Sequence, residues 1–139
     1  MKNQLILLAA IIAMTLSACN RQKTFKSDVN TDKKPWTNLE FNNNPDNFQF
    51  AIVSDRNGGC RPGVFEEAVK KLNLMQPEFV LSVGDLIAGY TTDTAKITAQ
   101  WAEVNHTISE LKMPFFYLPG NHDITNKVMG KVWEKKYGK

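Results

Sequence analysis

Phe115-Phe116-Tyr117-Leu118-Pro119-Gly120-Asn121-His122-Asp123 carries the strongest structural signal in this chain of 139 residues. In it, an apolar run of strand-forming residues leads directly into a polar tetrapeptide. Two similar transitions precede it, because residues 48–54 run into Asp55 and residues 79–83 run into Asp85. Each of the three stretches therefore predicts a short strand that ends in polar side chains.

Helical patterns separate and follow these strands. The first spans about residues 64–75 and ends before Pro77, and the second spans residues 93–111. The last sixteen residues predict a third helix with a basic, solvated face. The predicted apolar stripe of the first helix comprises Val64, Ala68, Leu72 and Met75, widened by Phe65 and Val69. The predicted apolar stripe of the second helix comprises Ile97, Trp101, Val104, Ile108 and Leu111. The order βαβαβα predicts an α/β fold with a parallel sheet and right-handed crossovers.

Parallel strands place their carboxyl ends at one edge of the sheet, where such folds bind ligands. We therefore expect Asp55, Asp85, Asn121 and His122 to converge there. Carboxylate and amide oxygens bind divalent cations, and a pair of cations can activate water for the displacement of a phosphate ester. His122 could donate a proton to the leaving group, and Asp123 could orient its imidazole.

This constellation resembles the calcineurin-like metallophosphoesterase family, whose motifs are Asp-x-His, Gly-Asp and Gly-Asn-His-Asp/Glu. Gly84-Asp85 and residues 120–123 match the second and third motifs fully. The resemblance implies that Asp85 bridges two divalent cations (Mn, Mg, Fe or Zn), that Asp55 binds the first and that Asn121 binds the second. It also implies that His122 assists the leaving group of a phosphate mono- or diester.

The first motif departs from the family pattern, because Asn57 stands where the family has a histidine ligand. An amide oxygen in that place favours Mn²⁺ or Mg²⁺ over Zn²⁺. Arg56 is interpreted either as a contact to substrate phosphate or as a solvated loop residue. A similar Ser-Asp-Arg-x-Gly-Gly opening occurs in a secreted or lipid-anchored branch of the family.

The resemblance covers only the N-terminal half of the family's domain, a four-layer αββα sandwich with two sheets face to face. Residues 47–139 are accordingly interpreted as a partial, truncated domain, because the later metal-binding histidines would follow residue 139. The missing half would be needed to complete the site. This leaves two hypotheses, a metal-dependent phosphoesterase and a catalytically incompetent remnant or binding module of the same fold.

The N-terminus predicts an envelope lipoprotein. Residues 1–18 have the pattern of a lipoprotein signal peptide, and Leu16-Ser17-Ala18-Cys19 resembles a bacterial lipobox, which implies lipid on Cys19. The alternative is an ordinary secretory signal. Residues 19–46 are polar and predict a flexible tether, with Trp36 and Phe41 among the few residues able to pack on the domain. The expected location is the bacterial cell envelope, on the periplasmic or surface side of a membrane.

The remaining features are less specific. The formal net charge of +3 and the absence of interleaved basic and aromatic residues do not predict nucleic-acid binding. If Cys19 carries lipid, Cys60 has no intrachain partner for a disulfide. His106, Cys60 and Tyr90 are interpreted by default as surface residues. A purely structural envelope lipoprotein would explain the tether but not three metal-type motifs at strand ends.

Overall fold

The computed structural model describes residues 27–41 and 46–139. The predicted signal peptide of residues 1–18, the predicted lipidation site Cys19 and part of the predicted tether lie outside the described residues. The elements are β1 (Ala51–Val53), α1 (Val64–Met75), β2 (Val80–Ser82), α2 (Thr94–Ile108), β3 (Phe115–Phe116) and α3 (Lys127–Tyr137). No helix within the described ranges has the length and apolar character needed to cross a membrane.

The three strands form one parallel sheet in the order β1-β2-β3. Val53 pairs with Ser82, and Leu81 pairs with both Ile52 and Phe116. The predicted α/β order and the parallel sheet are thereby confirmed. The strands are shorter than the apolar runs that predicted them, since β1 begins three residues after the start of its run and β3 ends two residues before Leu118.

The two faces of the sheet differ in how they are covered. On one face, the side chains of Val80, Ser82 and Phe115 are fully buried. The opposite face is apolar but open, since Ile52 of β1 is 58% exposed. The near-continuous apolar run of residues 48–54 predicts a strand covered on both faces, and this prediction is wrong for the described part of the chain. Apolar side chains on both faces do not by themselves establish burial.

The open face is partly covered by the segment before β1. Thr37 N donates a hydrogen bond to Phe115 O at 3.0 Å, and Tyr117 N donates to Pro35 O at 2.8 Å. This pairing lays Trp36 against Phe116, with ring centroids 6.2 Å apart. Residues 35–37, which belong to the predicted tether, thus run along the free edge of β3.

The buried core lies between the sheet and the helices. In α2 the predicted stripe is confirmed at Ile97, Trp101, Val104 and Ile108, each at most 1% exposed, whereas Leu111 is only partly buried. The predicted stripe of α1 is wrong at both ends, because Val64 and Met75 are exposed while Val69 and Leu72 are buried. Burial is therefore concentrated in the middle of this helix.

A polar network joins α3 to the core. The hydroxyls of Tyr117 and Tyr137 both donate to Asn105 Oδ1, at 3.0 and 3.2 Å. Burial raises the pKa of both tyrosines well above the ordinary range, so both phenols are neutral hydrogen-bonding groups. The network fixes α3, and with it the loop that leads from β3 into this helix.

Candidate active site

The loops after β1 and β2 lie side by side at the carboxyl edge of the sheet. Asp55 N donates to Gly84 O at 3.2 Å, and Asn57 N donates to Asp85 O at 3.0 Å. Asp55 and Asp85 both adopt positive φ angles, 53° and 57°. Such angles are uncommon for residues other than glycine and are often found at functional sites. The backbone therefore leaves the sheet in the same unusual way at both candidate metal ligands.

The loops after β2 and β3 contact each other through glycines. A Cβ atom on Gly84 would lie 2.8 Å from the carbonyl carbon of Pro119 and closer still to the backbone of Gly120. A Cβ atom on Gly120 would lie 2.9 Å from Cγ of Asp85. Only residues without a side chain permit this approach, which explains why glycine precedes the polar residues in both motifs.

This close contact brings Asp85 to the third motif. Its Oδ1 accepts a hydrogen bond from His122 N at 2.9 Å, which fixes the orientation of the carboxylate. The structure thus brings Asp85, Asn121 and His122 together from segments that are 36 and 37 residues apart in sequence. Asp55 reaches the same edge from the neighbouring loop.

The segment after Asp85 contacts Asn121 and His122. Asn121 Nδ2 donates to the hydroxyl of Tyr90 at 2.9 Å, which leaves Oδ1 as the atom available to a cation. His122 Nδ1 lies 2.9 Å from Ala88 O, and since a carbonyl only accepts, Nδ1 carries the hydrogen. The rings of Tyr90 and His122 meet edge-on with centroids 4.7 Å apart.

The sequence predicts that Asp123 orients the imidazole of His122, but in the structure its carboxylate has other partners. It is fully buried, and its two oxygens accept hydrogen bonds from four backbone N–H groups, at 2.8 to 3.1 Å. The donors are Gly120, Asp85, Leu86 and Ile87. Burial raises the pKa of the Asp123 carboxyl, and the four N–H donors act against this rise. The partner of the imidazole at Nδ1 is Ala88 O, so the structure corrects the expectation that Asp123 orients His122.

Arg56 differs from one of the two expectations. Its guanidinium forms an ion pair with Glu103 of α2, donates to Leu86 O at 3.3 Å and lies over the ring of Phe65. Only 9% of its side chain is exposed, so it is not a solvated loop arginine. Arg56 therefore anchors the β1 loop to α2. The predicted contact with substrate phosphate remains a prediction.

Asn57 and Asp55 each have one side-chain oxygen without a hydrogen-bond donor among the described residues. Asn57 Nδ2 donates to Leu86 O at 3.2 Å, which leaves its Oδ1, and Ser54 Oγ donates to Asp55 Oδ2, which leaves Oδ1 of Asp55. A cavity of about 570 Å³ borders Asp55 and continues along α1 past Cys60, which is an exposed free thiol. Neither Asp85 nor His122 lines it.

The donor set suits a hard divalent cation. Across residues 27–41 and 46–139, no cluster of three or more His, Cys, Asp or Glu side chains could hold a metal. The site offers instead two carboxylates, of Asp55 and Asp85, and amide oxygens of Asn57 and Asn121. Oxygen donors of this kind fit Mg²⁺ or Mn²⁺, which keep several waters, better than Zn²⁺. Fold and site together define an α/β protein with carboxylate and amide oxygens at the carboxyl edge of a parallel sheet.

The sequence matches the model of the calcineurin-like phosphoesterase family over residues 48–138, which is more than half of the chain. The chain belongs to this family, whose members are generally hydrolytic phosphoesterases that use divalent metals. No curated protein and no solved structure matches the chain significantly.

The sequence predicts Tyr90 as a surface residue, and the structure shows that it also contacts two of the candidate site residues. Its polar neighbours in sequence resemble those of any exposed loop. The one available signal was its position five residues after Asp85, directly behind Gly89. A Cβ atom on Gly89 would lie 2.8 Å from the carbonyl carbon of His122, so glycine is required where this loop meets the third motif.

Proposed function

We propose that this protein is a metal-dependent hydrolase of phosphate mono- or diesters. The observation that carries the proposal is the hydrogen bond from His122 N to Asp85 Oδ1 at 2.9 Å. It places a carboxylate, the amide of Asn121 and an imidazole at one sheet edge, in the order that the family motifs require. Asp55 and Asn57 extend the oxygen-donor set from the adjacent loop.

In this proposal Asp55, Asp85, Asn121 and Asn57 would hold divalent cations. When bound, such cations supply Lewis-acid activation of water and neutralise charge on the phosphate. Ala88 O holds Nδ1 of His122, which leaves Nε2 as the ring nitrogen available to a substrate. Water adds to phosphorus, the ester P–O bond breaks, and the departing oxygen takes a proton from Nε2 of the doubly protonated imidazole, which the proton released by the water restores.

The test is hydrolysis of bis(p-nitrophenyl) phosphate in the presence of Mn²⁺. Asp85→Asn keeps the shape and an oxygen that accepts from His122 N, but it removes the negative charge. We expect its kcat/KM to fall at least about 100-fold, since interactions that act on the transition state are worth several kcal/mol. Treatment of the wild type with EDTA should abolish hydrolysis, and added Mn²⁺ should restore it.

Asp93→Asn is the matched control for this substitution. Asp93 caps α2, where its side chain accepts hydrogen bonds from Ala95 N and Lys96 N. Asn caps helices about as well as Asp, so this variant should retain wild-type hydrolysis. Equal rates for wild type and Asp85→Asn, both at the background of Mn²⁺ alone, would reject catalysis by this chain.

One observation favours the second hypothesis, a module that binds without catalysing. The described residues hold too few acidic and histidine ligands for a complete two-metal site. In that case calorimetry would detect weak binding of Mn²⁺ that Asp85→Asn eliminates, while hydrolysis by the wild type stays at background.

We further propose that a second layer on the open face of the sheet completes the site. Ile52 and Phe50 are 58% and 50% exposed, and the rings of Phe50 and Phe79 stack at 5.2 Å. Leu118, two residues after β3, is 47% exposed. Exposed apolar side chains grouped in this way are costly in water, and the two-sheet architecture implied by the family resemblance supports a second layer.

For the N-terminus we propose a lipid-anchored envelope protein. The support is the apolar run Leu5–Leu16 followed by Leu16-Ser17-Ala18-Cys19. Cells grown with labelled palmitate should incorporate the label into the wild type, and Cys19→Ser should lose it entirely. Cys60→Ser is the control, because its thiol is the other one in the chain. Loss of label in Cys60→Ser, with retention in Cys19→Ser, would contradict the proposal.

A further inference from the structure

We propose that Tyr90 is a positioning residue that sets the orientation of both Asn121 and His122. The inference rests on the proposed function, in which these two side chains hold a cation and donate a proton. Tyr90 contacts each of them through a different part of its side chain, the hydroxyl for Asn121 and the ring for His122.

The hydroxyl of Tyr90 decides which end of the Asn121 amide faces the site. Asn121 Nδ2 donates to this hydroxyl at 2.9 Å, and the amide is planar, so Oδ1 must point the opposite way. A cation needs the oxygen and is repelled by the NH₂ group. An acceptor behind the amide therefore prepares Asn121 for binding, as partners behind a ligand commonly do at metal sites.

The ring of Tyr90 limits the rotation of the His122 imidazole. The two rings are nearly perpendicular, at 87°, with centroids 4.7 Å apart, an arrangement that aromatic pairs prefer. The hydrogen bond between Nδ1 and Ala88 O, at 2.9 Å, holds the imidazole from another side. Together these contacts fix the direction of Nε2.

Core packing does not explain the position of Tyr90. The residue is 62% exposed, and its φ angle of 49° is unfavourable for an aromatic residue. Its neighbour Gly89 packs on the backbone of His122, and Thr91 O accepts a hydrogen bond from Asn126 Nδ2 at 3.1 Å. The loop is thus tied to the third motif on both sides of Tyr90, which holds the exposed side chain over Asn121 and His122.

The experiment compares Tyr90→Phe, which removes only the hydroxyl, with Tyr90→Leu, which also removes the ring. Mn²⁺ dissociation constants are measured on the full chain from the electron paramagnetic resonance signal of free Mn²⁺. Both variants should bind Mn²⁺ about tenfold more weakly than the wild type, as is typical when a partner behind a metal ligand is lost. Melting temperatures should stay at the wild-type value, because Tyr90 is exposed.

The effect on His122 is read by NMR of the imidazole ring protons. The chain has two histidines, and the exposed His106 on α2 serves as an internal reference. Tyr90→Leu should shift the His122 resonances while those of His106 stay in place, and its kcat at saturating Mn²⁺ should fall about tenfold. In Tyr90→Phe the ring is retained, so the His122 resonances should remain close to those of the wild type.

Phe48→Leu is the matched control, since it removes another exposed ring, 56% accessible, and should change none of these quantities. Wild-type Mn²⁺ affinity in Tyr90→Phe would overturn the role toward Asn121, and unmoved His122 resonances in Tyr90→Leu would overturn the role toward His122. If the wild type failed to hydrolyse any phosphate ester, the proposed function would fall, and the two Tyr90 readouts would still decide this inference. A wild type that bound no Mn²⁺ would overturn the Asn121 half outright.

Discussion

Gly84→Ala is expected to destabilise the fold by about 2–5 kcal/mol, which combines about 1–2 kcal/mol for a left-handed backbone with about 1–3 kcal/mol for overpacking. The φ angle of Gly84 is 98°, and an added Cβ would collide with the backbone of Pro119 and Gly120. Backbone atoms cannot move aside as the end of a flexible side chain can. Chemical denaturation measures the change, and it is a large part of the stability of a small domain.

Substitutions at two other glycines distinguish the cost of the backbone conformation from the cost of the steric clash. Gly58 has a φ angle of 115° but open space around it, so Gly58→Ala should cost only about 1–2 kcal/mol for the backbone conformation. Gly130 lies in α3, and a Cβ there meets nothing within 4 Å. Gly130→Ala should therefore stabilise the protein by about 1 kcal/mol. If Gly84→Ala cost no more than Gly58→Ala, the close contact between the loops after β2 and β3 would be contradicted.

Asp123→Asn is expected to destabilise the protein by about 2–5 kcal/mol, because each buried donor left unpaired costs about 1–3 kcal/mol. The carboxylate accepts from four N–H groups, whereas the single oxygen of Asn accepts from two at most. The NH₂ group of Asn would face the other two donors. One of the four donors is the backbone N–H of Asp85, so loss of its hydrogen bond should displace this candidate metal ligand. We therefore also expect the folded fraction of the variant to bind Mn²⁺ more weakly than the wild type.

Asp93→Asn provides the same chemical change at an exposed helix cap and should alter the free energy of unfolding by at most about 0.5 kcal/mol. The comparison also distinguishes two roles for Asp123. A carboxylate that acted on the imidazole would, when replaced, lower kcat and leave the free energy of unfolding unchanged. That result would support the role predicted from the sequence, in which Asp123 orients the imidazole of His122, and it would contradict the buried position of the Asp123 side chain.

Much of the architecture was predictable because its signals are local. Apolar runs that end in polar residues marked the three strands, and the steps of three and four between Ile97 and Ile108 marked α2. Parallel topology follows from alternating strands and helices, and it brings strand ends to one edge. The chemical character of Asp85, Asn121 and His122 was predictable for the same reason, since each of them belongs to a short motif of consecutive residues.

The partners of each polar group were not predictable, because they come from loops that are distant in sequence. Asp123 looked like a partner for the adjacent imidazole, yet the contact between the loops after β2 and β3 surrounds it with backbone donors. For Arg56 the sequence left a phosphate contact and a solvated position open, and only the structure shows its ion pair with Glu103 of α2. The sequence placed Tyr90 close to Asp85 along the chain but did not reveal its partners, because its contacts depend on a strained loop conformation.

Residue order thus established which groups are present and which strand end carries each of them, because strand and helix patterns depend on neighbours along the chain. Packing between loops established which of those groups remain available to a cation or a substrate and which are consumed in holding the loops together. A carboxylate next to a histidine in sequence can serve either purpose, and only the burial of Asp123 among four N–H donors assigns it to the second.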